Sequence, residues 1–257
     1  MKRRVAVVTG GGGGIGAACA RSLAENEYTV AVVDLDEDNA RRVAHETGGK
    51  AYTLDVGDEA AVKHLAQRIQ SEIGSVDGLI ACAGMIPKPY RAQDEPLDHW
   101  DRMIRINMRG VYVTCLAFGA AMLKRRSGSI VTIGSLGGMG VLPLNSYGTS
   151  KAGVIHLSMA LAADWGRHNV RVNCVSPGPV RTPTIEASYA RGERDPLRME
   201  NQTALGRLVR PEDVANAAVF LLSDRASAIT GINLPVDSGV FATQLTNLYG
   251  VPADIFP

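Results

Sequence analysis

The chain is short of several features that would settle its class at once. It has only four cysteines in 257 residues. Cys19, Cys82, Cys115 and Cys174 are widely scattered, with no CxxC pair and no histidine at metal-ligand spacing, which excludes a disulfide framework and a zinc-finger pattern. No metal is expected, and four reduced thiols in apolar surroundings fit a reducing compartment. An excess of one charge is also missing: 27 basic and 26 acidic residues leave a net +1. Without a block of either sign, the basic stripe of a nucleic-acid binder is absent. Long hydrophobic runs are missing too. The start, "MKRRVAVVTG", has too short an apolar stretch for a signal peptide, and no stretch approaches a membrane span. The expectation is a soluble, cytoplasmic protein with neither a nucleic-acid nor a membrane partner.

What is present is a regular alternation. Short β-branched runs ("RVAVVT", "YTVAVVD", "GLIACA", "GSIVTIG", "VRVNCV") alternate with longer segments of helical pattern at Ile15–Asn26, Asp36–Thr47, Asp58–Ile73, His99–Lys124, Tyr147–Arg167 and Pro211–Leu222. Strands that are nearly all apolar are buried on both faces, as in a parallel sheet wrapped by helices. Strand–helix alternation predicts an α/β fold of the Rossmann type, a doubly wound parallel sheet of about seven strands. No linker, low-complexity tract or internal repeat divides residues 1–257, so one domain is expected.

The first strand runs into five consecutive glycines, "VVTGGGGGIG". At a strand-to-helix turn, glycine lets backbone N–H groups approach a phosphate without a Cβ in the way, and the helix N-terminus favours the anion. No Lys-Ser/Thr pair follows the glycines, which excludes a mononucleotide P-loop. The second strand ends in Asp34, at the distance where a carboxylate binds adenosine ribose hydroxyls. Two readings of Asp34 stay open at this point: ribose binder, or helix cap beside Asp36. Further on come Ser135, then Tyr147 and Lys151, four residues apart and so on one face of a helix. A free tyrosine has a pKa of about 10, so roughly one in a thousand is ionised at neutral pH. A neighbouring ammonium favours the phenolate and makes it a usable base. A serine hydroxyl alongside can hydrogen-bond an alcohol or a carbonyl oxygen.

Taken in order, these pieces resemble the short-chain dehydrogenase/reductase family over essentially the whole chain. "TGGGGGIG" matches TGxxxGxG. Asp34, Asp55 in "LDV", "ACAG", Asn107 in "RINMRG", Ser135, "YGTSK" for YxxxK, "PGPVRTP" and "ITGINLPVDSG" then follow. The resemblance implies an enzyme that transfers hydride between a secondary alcohol or ketone and a nicotinamide cofactor, without metal. It implies Tyr147 as general acid/base, Lys151 lowering its pKa and holding the nicotinamide ribose, Ser135 positioning the substrate oxygen, and Asn107 anchoring a proton-relay water. Around the cofactor it implies Gly10, Gly14, Ile15 and Gly16 at the pyrophosphate turn and Asp34, Leu35, Asp55 and Val56 at the adenosine. Ala83, Gly84, Tyr147, Lys151, Pro177, Gly178, Val180 and Thr182 complete that set, the last two fixing the carboxamide. Gly11, Gly12 and Gly13 occupy variable positions of the motif, where other residues could serve. With an acid at Asp34 and no arginine in the turn, NAD is the expected cofactor, and a homotetramer the expected assembly.

Two departures from the family pattern stand out. Cys82 replaces an asparagine of "NNAG" and cannot reproduce its hydrogen bonds; packing is the expected role. The interval from Ser135 to Tyr147 is one residue shorter than usual. Residues 183–205 are expected to form a lid over the substrate. There Arg191, Arg194, Arg198 and nearby Arg207 are balanced by Glu186, Glu193, Asp195 and Glu200, so no net charge selects an anion. Met85, Met139, Leu142 and Asn145 are candidates for an apolar pocket suited to an apolar or cyclic alcohol. The tail 240–257 has no periodicity. An NADPH-dependent ketone reductase and a non-catalytic nucleotide-binding regulator are the alternatives.

Overall fold

The computed structural model describes residues 3–86, 89–192 and 195–243. Within them, seven strands form a parallel sheet in the order β3-β2-β1-β4-β5-β6-β7. The strands are β1 Val5–Thr9, β2 Thr29–Asp34, β3 Lys50–Thr53, β4 Val76–Ala81, β5 Gly128–Ile133, β6 Val170–Pro177 and β7 Asn233–Val236. The helices are α1 Gly14–Glu25, α2 Glu37–Thr47, α3 Glu59–Glu72, α4 Leu97–Ile104, α5 Val111–Arg125, α6 Asn145–Trp165, α7 Pro183–Ala190, α8 Pro196–Glu200 and α9 Pro211–Leu222. The fold is the expected Rossmann-type α/β sheet.

Side chains alternate across the strands. Val5, Val7, Val33, Leu79 and Ile130 enter a core shared with α3, α5 and α6, while Ala6, Val8, Val32, Ile80 and Val131 enter a second core shared with α1, α2 and α9. Both faces are therefore apolar, which is why the central strands read as unbroken hydrophobic runs. The two edge strands carry no such run. β3 has one buried side chain, Tyr52, among its four residues. β7 holds Pro235, which an edge strand tolerates because one side of it has no ladder to complete.

The expected helix His99–Lys124 is interrupted. Between α4 and α5, residues Arg105–Gly110 form a π-helical stretch, a local widening of the kind found at functional sites. Taken through that stretch, Leu97–Arg125 is a continuous 29-residue helix apolar enough, by length and composition, to cross a membrane. That corrects the expectation that no stretch approaches a span. Its apolar side chains Val111, Cys115, Phe118 and Met122 lie in the first core. At the other end, Val180 and Val209 form an isolated parallel bridge, tied by Arg181 N to Val209 O at 2.8 Å and Val209 N to Pro179 O at 3.1 Å. The expected lid, with α7 and α8, is thus an excursion clasped at its base, with Leu205 N donating to Ser238 O at 3.1 Å and Thr243 Oγ1 to Gln202 O at 2.8 Å. Glu186 pairs with Arg181 and Arg207 pairs with Asp213, while Asp195 caps α8 through Leu197 N at 2.9 Å. Glu193, Arg194, the Arg198 side chain and the tail beyond Thr243 lie outside the described residues.

Candidate active site

Chain order reverses between β1 and β4, and the crevice at their carboxyl ends is where open α/β sheets bind ligands. A cavity of about 980 Å³ opens there. All of the expected cofactor residues line it, together with Ser135, Tyr147 and Lys151; Asn107 does not.

The glycine turn is more constrained than its motif. A Cβ on Gly16 would collide with the Gly10 carbonyl oxygen, and one on Gly10 (φ +66°) would sit 2.9 Å from the Ala83 backbone. The positions read as permissive are not alike, because Gly13 faces open space whereas a Cβ on Gly11 would sit 2.9 Å from the Val8 carbonyl oxygen. On Gly12 it would lie 2.8 Å from Asn39 Cβ and 2.9 Å from Asp34 Oδ2. Only Gly13 fits the expectation of free filling. The helix that follows has no side-chain cap and no acid in its first turn. Its N–H groups and the positive end of its dipole therefore face the cavity unspent, as an anion site requires.

At the adenosine end, Asp34 accepts from Gly12 N at 2.8 Å and from Asp36 N at 3.1 Å. The cap of α2 is Asp36, through Asn39 N at 3.0 Å, so the helix-cap reading of Asp34 falls. Asp55 accepts from Gly57 N at 2.7 Å and lies 3.7 Å from Arg105. Three polar wall residues escaped the sequence reading: Asn39, Arg42 and Arg102. The Arg42 guanidinium donates to Gly12 O at 2.9 Å and pairs with Glu46 at 2.9 Å, so α2 brings a cation to the rim of the turn. These groups fit a dinucleotide: an uncapped helix start for its phosphates, a carboxylate for ribose hydroxyls, and a long groove for the rest.

At the other end, Lys151 is buried, donates to Ile133 O at 2.8 Å, and holds its ammonium 5.8 Å from the centroid of the Tyr147 ring. Ser135 begins a short 3₁₀ turn, Leu136–Gly138, and its Oγ accepts from Gly137 N at 3.1 Å. That turn lies flat on α6: a Cβ on Gly138 would come within 2.6 Å of the Lys151 and Ala152 backbone, and one on Gly148 within 2.9 Å of Gly137 O. Two glycines thus fix Ser135 against the Tyr-Lys helix despite the short interval. Asn107 spends its amide on Met85, accepting from Met85 N at 2.8 Å and donating to Met85 O at 3.0 Å. Ala83 N donates to Thr9 Oγ1 at 3.3 Å, local support that asks nothing of Cys82. Burial pushes the Cys82 thiol up to about 11, against the opposing pull of Lys151, so it is a neutral wall group at physiological pH. Of the expected pocket residues, Met85 and Leu142 line the cavity and Met139 and Asn145 do not; Ile86, Val141, Ile185 and Met199 do.

Residues 10–241 match the family model described as enoyl-(acyl carrier protein) reductase. The chain is 36% identical over 242 residues to D-threitol dehydrogenase of Mycolicibacterium smegmatis, covering 92% of each. It is 38% identical over 244 residues to cis-4-hydroxycyclohexanecarboxylate dehydrogenase of Sinomonas cyclohexanicum, covering 93% of this chain and 97% of that one. Among solved structures, one titled ribose-5-phosphate isomerase from Brucella melitensis superposes with a TM-score of 0.94 at 45% identity, over 97% of both chains. An NAD+-bound xylitol dehydrogenase superposes at 0.86 and 30% identity, over 92% of this chain and 98% of the other.

Proposed function

Because the chain belongs to the short-chain dehydrogenase/reductase family of oxidoreductases, we propose that it oxidises a secondary alcohol with NAD as acceptor, Tyr147 serving as general base. The observation that carries this reading is the buried Lys151 ammonium held 5.8 Å from the Tyr147 ring, in the cavity that also contains the uncapped start of α1 and Asp34. Bound in that groove, the nicotinamide supplies the hydride acceptor. Lys151, anchored on Ile133 O, places a fixed positive charge beside the Tyr147 ring. Tyr147 then takes the alcohol's hydroxyl proton, and Ser135 holds the same oxygen, donating to it as it becomes a carbonyl. Asn107 Oδ1 already accepts from Met85 N. It keeps a second lone pair for the relay water that the resemblance implies.

The substrate end favours an alicyclic or otherwise apolar secondary alcohol. Met85, Leu142, Ile185 and Met199 line it, while Ile86 and Val141, 60% and 100% exposed, border it in contact with water. A polyol would strip water from several hydroxyls against such a wall, at a cost of about 1–3 kcal/mol for each one left unpaired. The isomerase name of the Brucella protein does not transfer, because cofactor-free isomerisation leaves the glycine turn and Asp34 without work. The test is turnover of cyclohexanol, 4-hydroxycyclohexanecarboxylate, threitol and xylitol with NAD+ and NADP+, read by absorbance of the reduced nicotinamide. The alicyclic alcohols should lead, with NAD+. Tyr147→Phe keeps the ring and removes the acid/base group, so turnover should fall about 10²–10⁴-fold while cofactor still binds. Near-normal turnover in that variant overturns the mechanism.

A further inference from the structure

Tyr147 stands in the first turn of α6, which begins at Asn145. The first N–H groups of a helix lack partners, and an end without a cap frays. Here the N-cap is Leu144, which makes no side-chain capping bond, and the first turn holds no acid. Lys151 sits one turn further in, buried and anchored. The distance between the two side chains thus depends on how well an uncapped turn is held.

The missing cap comes from elsewhere in the chain. Glu95, in the segment leading into α4, has a side chain only 6% exposed. Its carboxylate accepts a hydrogen bond from the hydroxyl of Ser146, a residue 51 positions away and adjacent to Tyr147, and the Ser146 main-chain N–H also points to it. The same oxygen meets His99 Nδ1 at 2.9 Å, and the His99 ring stands edge-on to Tyr90 at 5.1 Å. Burial opposes ionisation of Glu95, yet the bonds from Ser146 and His99 outweigh it and hold the carboxyl below its ordinary range. A buried anion is kept only where it is well paired, and the start of a helix is where its charge is most useful.

We propose that Glu95 caps the helix that bears Tyr147, acting through Ser146, and so is a positioning residue for the reaction. The proposal rests on the reading of Tyr147 given above. Glu95 touches neither substrate nor cofactor. It fixes the first turn of α6 to α4, so that the phenol stays over the Lys151 ammonium rather than moving with a loose helix end.

The test is a cycle of Glu95→Ala, Ser146→Ala and the double variant, with Glu95→Gln and Tyr147→Phe alongside. Each is assayed for kcat, KM and NADH affinity by fluorescence. Glu95→Ala should lower kcat about tenfold or more, the cost of a small misplacement of a reacting group. NADH affinity should stay within about twofold, since independent sites do not couple. Ser146→Ala should reproduce the loss, and the double variant should be no worse than the poorer single. Glu95→Gln keeps the shape and an acceptor oxygen, so it should fold and recover most of kcat. The proposal is overturned if Glu95→Ala keeps wild-type kcat while Tyr147→Phe is inactive, or if the two single losses multiply in the double variant. A Tyr147→Phe enzyme that still turns over would instead sink the reading of the site, whatever Glu95 does.

Discussion

On the proposed reading, Asp34 would carry two tasks with one carboxylate. It holds Gly12 and Asp36 through their N–H groups, and it faces the groove where an adenosine ribose would lie. An ionised carboxylate has about four lone-pair sites, so two remain for the ribose 2′ and 3′ hydroxyls of NAD. In NADP the 2′ position bears a phosphate of about −1.5 to −2 charge. At about 4 Å each unit of like charge costs between ~1 kcal/mol in water and ~4 kcal/mol at a surface dielectric. That predicts a preference for NAD of about tenfold or more. Arg42 adds what the sequence could not show: its place at the rim comes from the packing of α2 against the turn. With Asp34→Ala that guanidinium loses its competitor, so NADP should gain affinity, NAD should lose some because the turn loosens, and Asp34→Ala/Arg42→Ala should lose the NADP gain. Titrating both cofactors by fluorescence decides it; equal affinities in the wild type would refute the assignment. The same scale shows where motif reading stops. TGxxxGxG singles out Gly10, Gly14 and Gly16, but nothing local distinguishes open Gly13 from Gly12, whose crowding comes from Asn39 and Asp34.

Between elements, the informative contacts are those that cross long stretches of chain. The apolar alternation of the strands and the periodicity of α1, α2, α3, α6 and α9 were readable because each element carries its own burial pattern. The π-helical stretch Arg105–Gly110 was not, because one extra residue per turn barely disturbs an apolar period over six residues. Nor was the seating of the Leu136–Gly138 turn on α6, which depends on Gly138 meeting the Lys151 and Ala152 backbone. That contact predicts a sharp contrast between glycines. Gly138→Val would push the turn off α6 and carry Ser135 away from Tyr147, lowering kcat by about 10²-fold, the scale of an ångström's misplacement. Gly13→Ala meets nothing within 4 Å and should leave kcat and cofactor affinity near the wild-type values. Steady-state kinetics on the two variants checks this, and a fully active Gly138→Val would show that Ser135 is held by other means.

At the scale of the whole molecule, two helices leave an apolar face unspent. On α5, Tyr112, Leu116 and Ala120 are exposed at successive turns, and on α6, Ala152, Met159, Ala160 and Ala163 are exposed with His156 among them. Tyr112, Leu116 and Met159 remain 42%, 40% and 43% exposed, while the opposite sides of both helices fill the first core. Small residues along α6 let another helix approach closely, and large ones at Tyr112, Leu116 and Met159 supply area to bury. Such a face on one chain is complementary to itself about a two-fold axis, the commonest way for identical subunits to associate. A tetramer needs a second such contact elsewhere on the surface, and exposed Ile232 and Phe241 offer further apolar area. The expected assembly is a homotetramer of two-fold contacts, with the α5–α6 face as the one that fails first. Leu116→Asp paired with Met159→Asp places charges on both sides of that axis, where each would be desolvated without a partner at a cost of several kcal/mol. Sedimentation at micromolar concentration should give a four-chain species for the wild type and a smaller one for the double variant. A wild-type monomer, or a double variant that stays tetrameric, would show that this face meets only solvent.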